Sequence, residues 1–371
     1  MRTLLELQSS CGRKQGTSYF VRKMLESGKW KNLNMKYDVF GIGSALMDFL
    51  VEVEDSELLE LNLKKGQFHL ISGEDSKKLL KKIEKYPVKT SPGGSCANTL
   101  CGVAIFGGNP VFCGKIGRNS HGDVYEEKMF NLGVKPRLAR SEKITGHAIT
   151  FITPDSERTF ATYLGAALQL KKADIFLEDL KQSKILHIEG YQLEDKGLRD
   201  VSLEAMQFAK KHNIKISVDL GDSGIVARNK ADILKIIEKY ADIVFANKNE
   251  ANALVGLEPL EALNDIAKLT EIAIVKVGRY GSYIKQNNTV YKIPGYRAKA
   301  LDTTGAGDMF AAGVLYGICS GYGVKICGHI GSYFAAKVVE EIGARLEHID
   351  QKEVENLIRK IDNEAYNKRD E

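Results

Sequence analysis

From residue 185 to residue 277, short apolar runs return about every 25–30 residues, with amphipathic helical stretches filling the gaps. The runs are Ile185–Glu189, Ile214–Asp219, Ile243–Ala246 and Ile272–Val277. Between them lie Lys196–His212, with Leu198, Val201, Ala205 and Phe208 on one face, then Ile233–Tyr240 and Leu260–Leu269. Strands apolar on both sides have to be covered on both sides. Gaps of this length hold a crossover helix rather than a tight turn. The pattern therefore predicts βαβ units and a mostly parallel central sheet with helices on both faces, an α/β fold. Earlier in the chain, Val39–Gly43 and Val111–Ile116 read as strands. Ser76–Tyr86 reads as a helix, and another runs from about Ser95 through Val103–Phe106.

Two stretches break this rhythm. Leu50–Glu54 with Gln67–Ile71, and Ala148–Thr153 with Thr159–Tyr163, alternate polar and apolar residues without long helices between them. Such strands have one solvated face and do not belong in the buried sheet. They predict a small β-sheet lid, with strands from about 45–72 and 134–168, over the edge where ligands bind in open α/β folds. The exposed alternation suits a lid over its own site and one shared with a neighbour, so monomer and homodimer both remain open.

Charge divides the chain. The formal net charge of the 371 residues is +5. Residues 1–34, with seven basic and two acidic side chains, carry all of it. The remainder, 35–371, is neutral and forms the expected single domain, so a basic nucleic-acid groove is not expected there. The arm reads as a basic N-terminal extension (leader, tag or transit-like) ahead of Met35. No run approaches the roughly 18 apolar residues of a membrane span. The six cysteines (11, 96, 101, 113, 319, 327) form no CxxC pair, so zinc and redox motifs are not expected. Reduced thiols fit a cytoplasmic protein.

Chemistry concentrates in two glycine turns, each opening a helix. Asp302-Thr303-Thr304-Gly305-Ala306-Gly307-Asp308 runs into the apolar stretch Met309–Tyr316. Unpaired amides at a helix start, with small residues that admit an anion, make a phosphate site. A carboxylate beside a phosphate is unfavourable unless it takes a proton from a hydroxyl attacking the phosphorus, and Asp308 is placed to do so. Pro92-Gly93-Gly94-Ser95-Cys96-Ala97-Asn98-Thr99 puts Asn98 one turn into its helix, with a donor and an acceptor for a ligand hydroxyl. Asp48, just past the first strand, has the chemistry to clamp a vicinal diol. The chain has no GxxxxGK[ST], HExxH or GxSxG motif, and Gly41-Ile42-Gly43 lacks the third glycine of a dinucleotide fingerprint. His69, His121 and His187 are scattered and read as structural or surface residues.

Gly93-Gly94-Ser95-Cys96-Ala97-Asn98 and Asp302 to Asp308 resemble the two signatures of the ribokinase-like (PfkB) family of carbohydrate and nucleoside kinases, over residues 37 to about 345. Ala45–Ile71, Thr153–Leu170 and Glu189-Gly190-Tyr191 resemble its adenosine-kinase-like branch. The resemblance implies a catalytic base at Asp308 and an anion hole at Gly305, Ala306 and Gly307. It implies substrate contacts from Asp48, Gly93, Gly94, Asn98 and Gln67. Asn247, Glu250, Lys276, Gly278, Gly281 and Thr304 would serve ATP and Mg²⁺, the ion being held mainly by phosphates and water, with Glu250 acting indirectly. Arg279 is a further candidate for positive potential near the phosphates. ATP and Mg²⁺ are the implied cofactors, with a monovalent cation as an optional third. The branch implies transfer of the γ-phosphate to the 5′-hydroxyl of a nucleoside, adenosine first, as in purine salvage. The alternative under the same signatures is a kinase of ribose, fructose or a sugar acid. Two positions depart from the pattern. Ser44 stands where adenosine kinases usually have Asn, and Lys276 where Thr is frequent.

Overall fold

The computed structural model describes residues 35–155 and 157–367. The basic arm 1–34 lies outside the described residues.

In chain order the fold begins with β1 (Tyr37–Ile42), β2 (Leu46–Glu52), α1 (Asp55–Glu60), β3 (Phe68–Leu70), α2 (Gly73–Ile83) and β4 (Lys89–Gly93). Next come α3 (Ser95–Ile105), β5 (Val111–Gly117), α4 (Ser120–Asn131), β6 (Lys135–Ser141), β7 (Gly146–Ile152) and β8 (Arg158–Tyr163). The middle is α5 (Leu177–Lys181), β9 (Ser183–Glu189), α6 (Tyr191–Glu194), α7 (Lys196–Lys211), β10 (Lys215–Asp219) and α8 (Ser223–Tyr240). It continues through β11 (Ile243–Asn247), α9 (Lys248–Val255), α10 (Pro259–Ile266) and β12 (Ile272–Lys276). The hairpin β13 (Ser282–Gln286) and β14 (Thr289–Ile293) precedes α11 (Ala306–Cys319), α12 (Val324–Val338) and α13 (Gln351–Asn367).

Nine strands form the large sheet in the order β14-β13-β12-β11-β10-β9-β1-β5-β6. All neighbours from β12 to β6 are parallel, and β13 and β14 add an antiparallel hairpin at one edge. Alternate residues of each central strand feed two separate cores. On β11, Ile243 and Phe245 pack with Met309, Phe310 and Ile330 of α11 and α12, whereas Val244 and Ala246 pack with Val201, Ile233 and Leu263 of α7, α8 and α10. A strand buried on both faces has no polar positions to spare, which is why these runs are continuously apolar.

The small sheet has the order β3-β8-β7-β2-β4. Two details differ from the sequence expectation. Lys135–Ser141, assigned to the lid stretch 134–168, is the edge strand β6 of the large sheet, in parallel register with β5. The cause is its connection: α4 between β5 and β6 makes another βαβ unit, and β6, half-buried along nearly its whole length, is an edge strand. The small sheet instead recruits Lys89–Gly93 as β4, which pairs antiparallel with β2. Pro92 in this segment hides the strand from propensity and is tolerated because β4 is an edge. Helix α8 also starts ten residues before Ile233. Asp222 caps it by accepting from the Ile225 N–H at 2.8 Å, and a non-helical Asn229 (φ −116°, ψ 17°) interrupts the apolar period.

These connections bring the carboxyl ends of β9, β10, β11 and β12 side by side, with Glu189, Asp219, Asn247 and Lys276 as their last residues. Helices α3 and α11 pack closely enough that a Cβ at Gly102 would lie 2.5 Å from that of Ala312. That approach sets their two glycine-led N-termini beside each other. Among the described residues no helix is long and apolar enough to cross a membrane.

Candidate active site

The turn before α11 is built for glycine at one position. Gly305 caps the helix with φ +78°, and a side chain there would run into the carbonyl of Ala344. Asp302, sealed beneath the turn, holds it in shape. Its carboxylate accepts from the Thr304 N–H at 3.0 Å and the Gly343 N–H at 2.8 Å, and pairs with Arg158 at 2.8 Å. The Ala306 N–H turns back to the Thr303 carbonyl at 3.3 Å, so the first-turn amides left for a ligand are those of Gly307 and Asp308.

Asp308 is half-buried, and each carboxylate oxygen receives one bond from α3. Ser95 donates its hydroxyl to Oδ1 at 2.7 Å, and Asn98 donates its amide to Oδ2 at 2.8 Å. Burial pushes the Asp308 pKa up, these two bonds pull it down, Asp219 adds to the rise and Lys276 eases it. A carboxylate fixed in position and raised in basicity is equipped to take a proton. Glu189 lies behind it, 3% exposed, in contact with the Ser95 hydroxyl and the Cys96 N–H. Burial first, then the Asp308 charge, drives the Glu189 pKa far up.

Asn98 is less free than its motif implies. Its amide oxygen accepts from Arg345 Nε at 2.7 Å while its nitrogen serves Asp308, so one amide N–H remains for a substrate hydroxyl. Asp48 stands on β2 of the small sheet, level with Ala148 and Thr162. Its pKa is pushed up to about 6 by burial, with Asp308 adding to the rise and the Arg345 charge opposing it. A Cβ on Gly93 would land on the Asp48 carboxylate, and one on Gly94 (φ +92°) would strike the Ser44 carbonyl. Both glycines are therefore required by what passes next to them. Ser44 accepts from Gln192 Nε2 at 2.9 Å.

Gln67 does not join this group. It is exposed and one residue out of phase: Leu70 pairs with Thr162 in the Asp48 row, and His69, two residues after Gln67, pairs with Ala161 on the other face. A shift of one position along a strand reverses the face, and the sequence carries no signal for the phase.

On the opposite side, the Lys276 ammonium lies 3.0 Å from Asp219 Oδ2. Asn247 caps α9, accepting from the Asn249 and Glu250 N–H groups at 2.8 and 3.0 Å, while its own N–H donates to Glu250 at 2.7 Å. Burial raises the Glu250 pKa to about 7, against the pull of Lys276. Both Glu250 oxygens are occupied by Asn247, so this residue shapes the loop rather than offering an open ligand. Thr304 accepts from Arg158 at 3.2 Å. Gly278 (φ +62°) and Gly281 (φ +96°) form the tight turn after β12. Arg279 is an exposed neighbour bonded to Tyr280.

Motif reading missed Arg158, Asp219, Glu189 and Arg345 as site residues. They come from four segments; Arg158 and Glu189 lay in quoted stretches without being singled out there, and Arg345 lay in none. The histidines stay outside: His187 is sealed in the large sheet beside Ser217 with its pKa lowered to about 4 by burial, and His121 packs edge-on against Phe49. Cys96, Cys101, Cys113, Cys319 and Cys327 are buried free thiols. Among the described residues no group of three or more His, Cys, Asp or Glu side chains could hold a metal ion.

Residues 53–351 match the model of the pfkB family carbohydrate kinase. Among curated relatives, the 5-dehydro-2-deoxygluconokinase of Bacillus licheniformis is 29% identical over 280 residues, which span 72% of this chain and 86% of the relative. Among solved structures, a probable sugar kinase from Rhizobium etli is similar with a TM-score of 0.77 at 31% identity, covering 84% of this chain and 96% of that one. The adenosine kinase from Sinorhizobium meliloti is similar with a TM-score of 0.76 at 32% identity and the same coverage.

Proposed function

The chain belongs to the PfkB family of carbohydrate kinases, phosphotransferases with an alcohol acceptor, and from that premise we propose that it transfers the γ-phosphoryl group of ATP to a primary hydroxyl of a sugar or sugar acid. The observation that carries the reading is Asp308, bracketed by Ser95 and Asn98 at the start of α11 with an ammonium beside the same turn. The acceptor oxygen attacks the γ-phosphorus and its proton passes to Asp308. The bond from that phosphorus to the β,γ-bridging oxygen breaks, and ADP leaves with the electron pair. The Gly307 and Asp308 amides face the charge that spreads over the transferring group. Asp48 and the remaining N–H of Asn98 hold neighbouring hydroxyls so that the attacking oxygen lies in line. The small sheet acts as a lid, excluding water that would compete as acceptor.

Magnesium fits this site only in a particular way. With Glu250 committed to Asn247, the donor set suits an ion bound by nucleotide phosphates and water rather than a protein cage. When bound, such an ion neutralises phosphate charge.

The sugar-acid choice draws support from the relatives named 5-dehydro-2-deoxygluconokinase. A second reading, the 5′-hydroxyl of adenosine, draws support from the 32% identity to an adenosine kinase. Steady-state assays of the full chain with 5-dehydro-2-deoxygluconate, ribose, fructose, adenosine, inosine and cytidine separate the two. Turnover of adenosine with none on the sugars would overturn the first reading.

A further inference from the structure

Lys276 ends β12 with its side chain 14% exposed. Its ammonium is leashed at 3.0 Å to Asp219 Oδ2. The leash has a fixed anchor, because Asp219 Oδ1 accepts from the Gly221 N–H at 3.2 Å. The other end reaches the α11 turn: a Cβ built on Gly307 would lie 3.4 Å from Lys276 Nζ, an ordinary contact distance. Among the described residues, Asp219 is the one hydrogen-bond partner of this ammonium, which has three protons to give. Two N–H bonds are thus left to point near the unpaired Gly307 and Asp308 amides.

A strand-end brace between Lys276 and Asp219 accounts for the ion pair but not for its position against the glycine turn. The surroundings supply a second argument. Asp219, Glu250 and Asp308 all lie close enough to act on the Lys276 ammonium, so a phosphate entering beside it meets several carboxyl groups. A helix N-terminus carries about half a unit charge and does not offset that by itself. An ammonium at the turn adds a full unit of positive charge there.

We propose that Lys276 is a catalytic group of the transfer, its ammonium donating to a non-bridging oxygen of the γ-phosphoryl group alongside the α11 amides. The inference rests on the kinase reading and deepens it. Lys276 keeps all its protons throughout. The acceptor proton goes to Asp308, the new bond joins the acceptor oxygen to phosphorus, and the electrons of the broken bond leave on ADP. Asp219 holds the ammonium at the turn before nucleotide arrives, so little ordering remains to be done when the phosphate binds.

Lys276→Met, in the full chain, tests this. Turnover is expected to fall about 10²–10³-fold, as when one donor to a developing oxyanion is removed, with acceptor KM changed less than threefold. Lys276→Arg should recover part of the loss. Because Lys276→Met strands Asp219, Lys276→Met/Asp219→Asn is measured beside it, and thermal melts establish that both fold. Calorimetric binding of ADP and of the β,γ-imido ATP analogue gives a readout that needs no acceptor. The variants should lose about tenfold in affinity for the analogue and less than twofold for ADP. Equal losses for both nucleotides, or turnover within threefold of the original, would overturn the assignment. If the unmodified chain binds both nucleotides yet phosphorylates none of the acceptors, the substrate reading fails and the nucleotide comparison still decides on Lys276.

Discussion

Asp48→Asn should make the protein more stable and a worse enzyme. The folded-state pKa of Asp48 stands at about 6 against an ordinary 3.8. The rise of roughly two units corresponds to about 3 kcal/mol spent on keeping the carboxylate ionised inside the fold. The direction follows from linkage. A carboxyl whose folded pKa is raised supports the fold only while protonated, and that support is lost as pH climbs through the folded pKa. Asparagine keeps the shape and removes the charge. The variant should therefore exceed the original by about 3 kcal/mol at pH 8, by about 1 kcal/mol near pH 4.5, and by nothing below the unfolded pKa. Urea unfolding of both proteins at several pH values measures the gap, and the comparison cancels every other titrating group. In the same variant acceptor KM should rise about 10–150-fold, the worth of a hydroxyl bonded to a charged group. A gap that stays flat with pH, or a variant less stable at pH 8, would refute the claim that burial governs this carboxylate.

Further outcomes follow from the same geometry. Asp308→Asn should cut turnover about 10²–10⁴-fold while its circular dichroism and melt show an intact fold, since Ser95 and Asn98 can still bond the amide. Gly93→Ala drives a methyl into the Asp48 carboxylate, so acceptor KM should rise at least tenfold with ATP KM unchanged in steady-state assays. Arg158→Met leaves Asp302, 5% exposed, without its cation and should lower urea-derived stability by about 3 kcal/mol. Asp302→Asn added to that variant should restore only part of the loss: the buried charge is gone, but the new amide nitrogen faces one of the two backbone N–H groups, of Thr304 and Gly343, that the carboxylate accepted.

Strands Ile185–Glu189 to Ile272–Val277 were legible because burial on both faces writes itself as uninterrupted apolar residues. The glycine turns were legible because unusual backbone, such as Gly305 at φ +78°, restricts residue type. Edge strands gave weaker signals. Lys135–Ser141 falls in the stretch expected for the small sheet yet lies beside β5, and Lys89–Gly93 contains a proline yet pairs with β2. Both assignments depend on which neighbour the strand finds, and local pattern does not encode that.

By itself, then, the sequence determined the layered α/β architecture, the two helix N-termini and the identity of Asp308 as the candidate base. These rest on short-range rules of periodicity, backbone conformation and residue chemistry. Only the tertiary structure decided what surrounds that base. Ser95 and Asn98 reach Asp308 across more than 200 residues, Arg345 takes the Asn98 oxygen, Arg158 locks Asp302, and Lys276 lies against Gly307. Such pairings arise from where strands end and helices cross, and their energies depend on burial that exists only once the chain has folded.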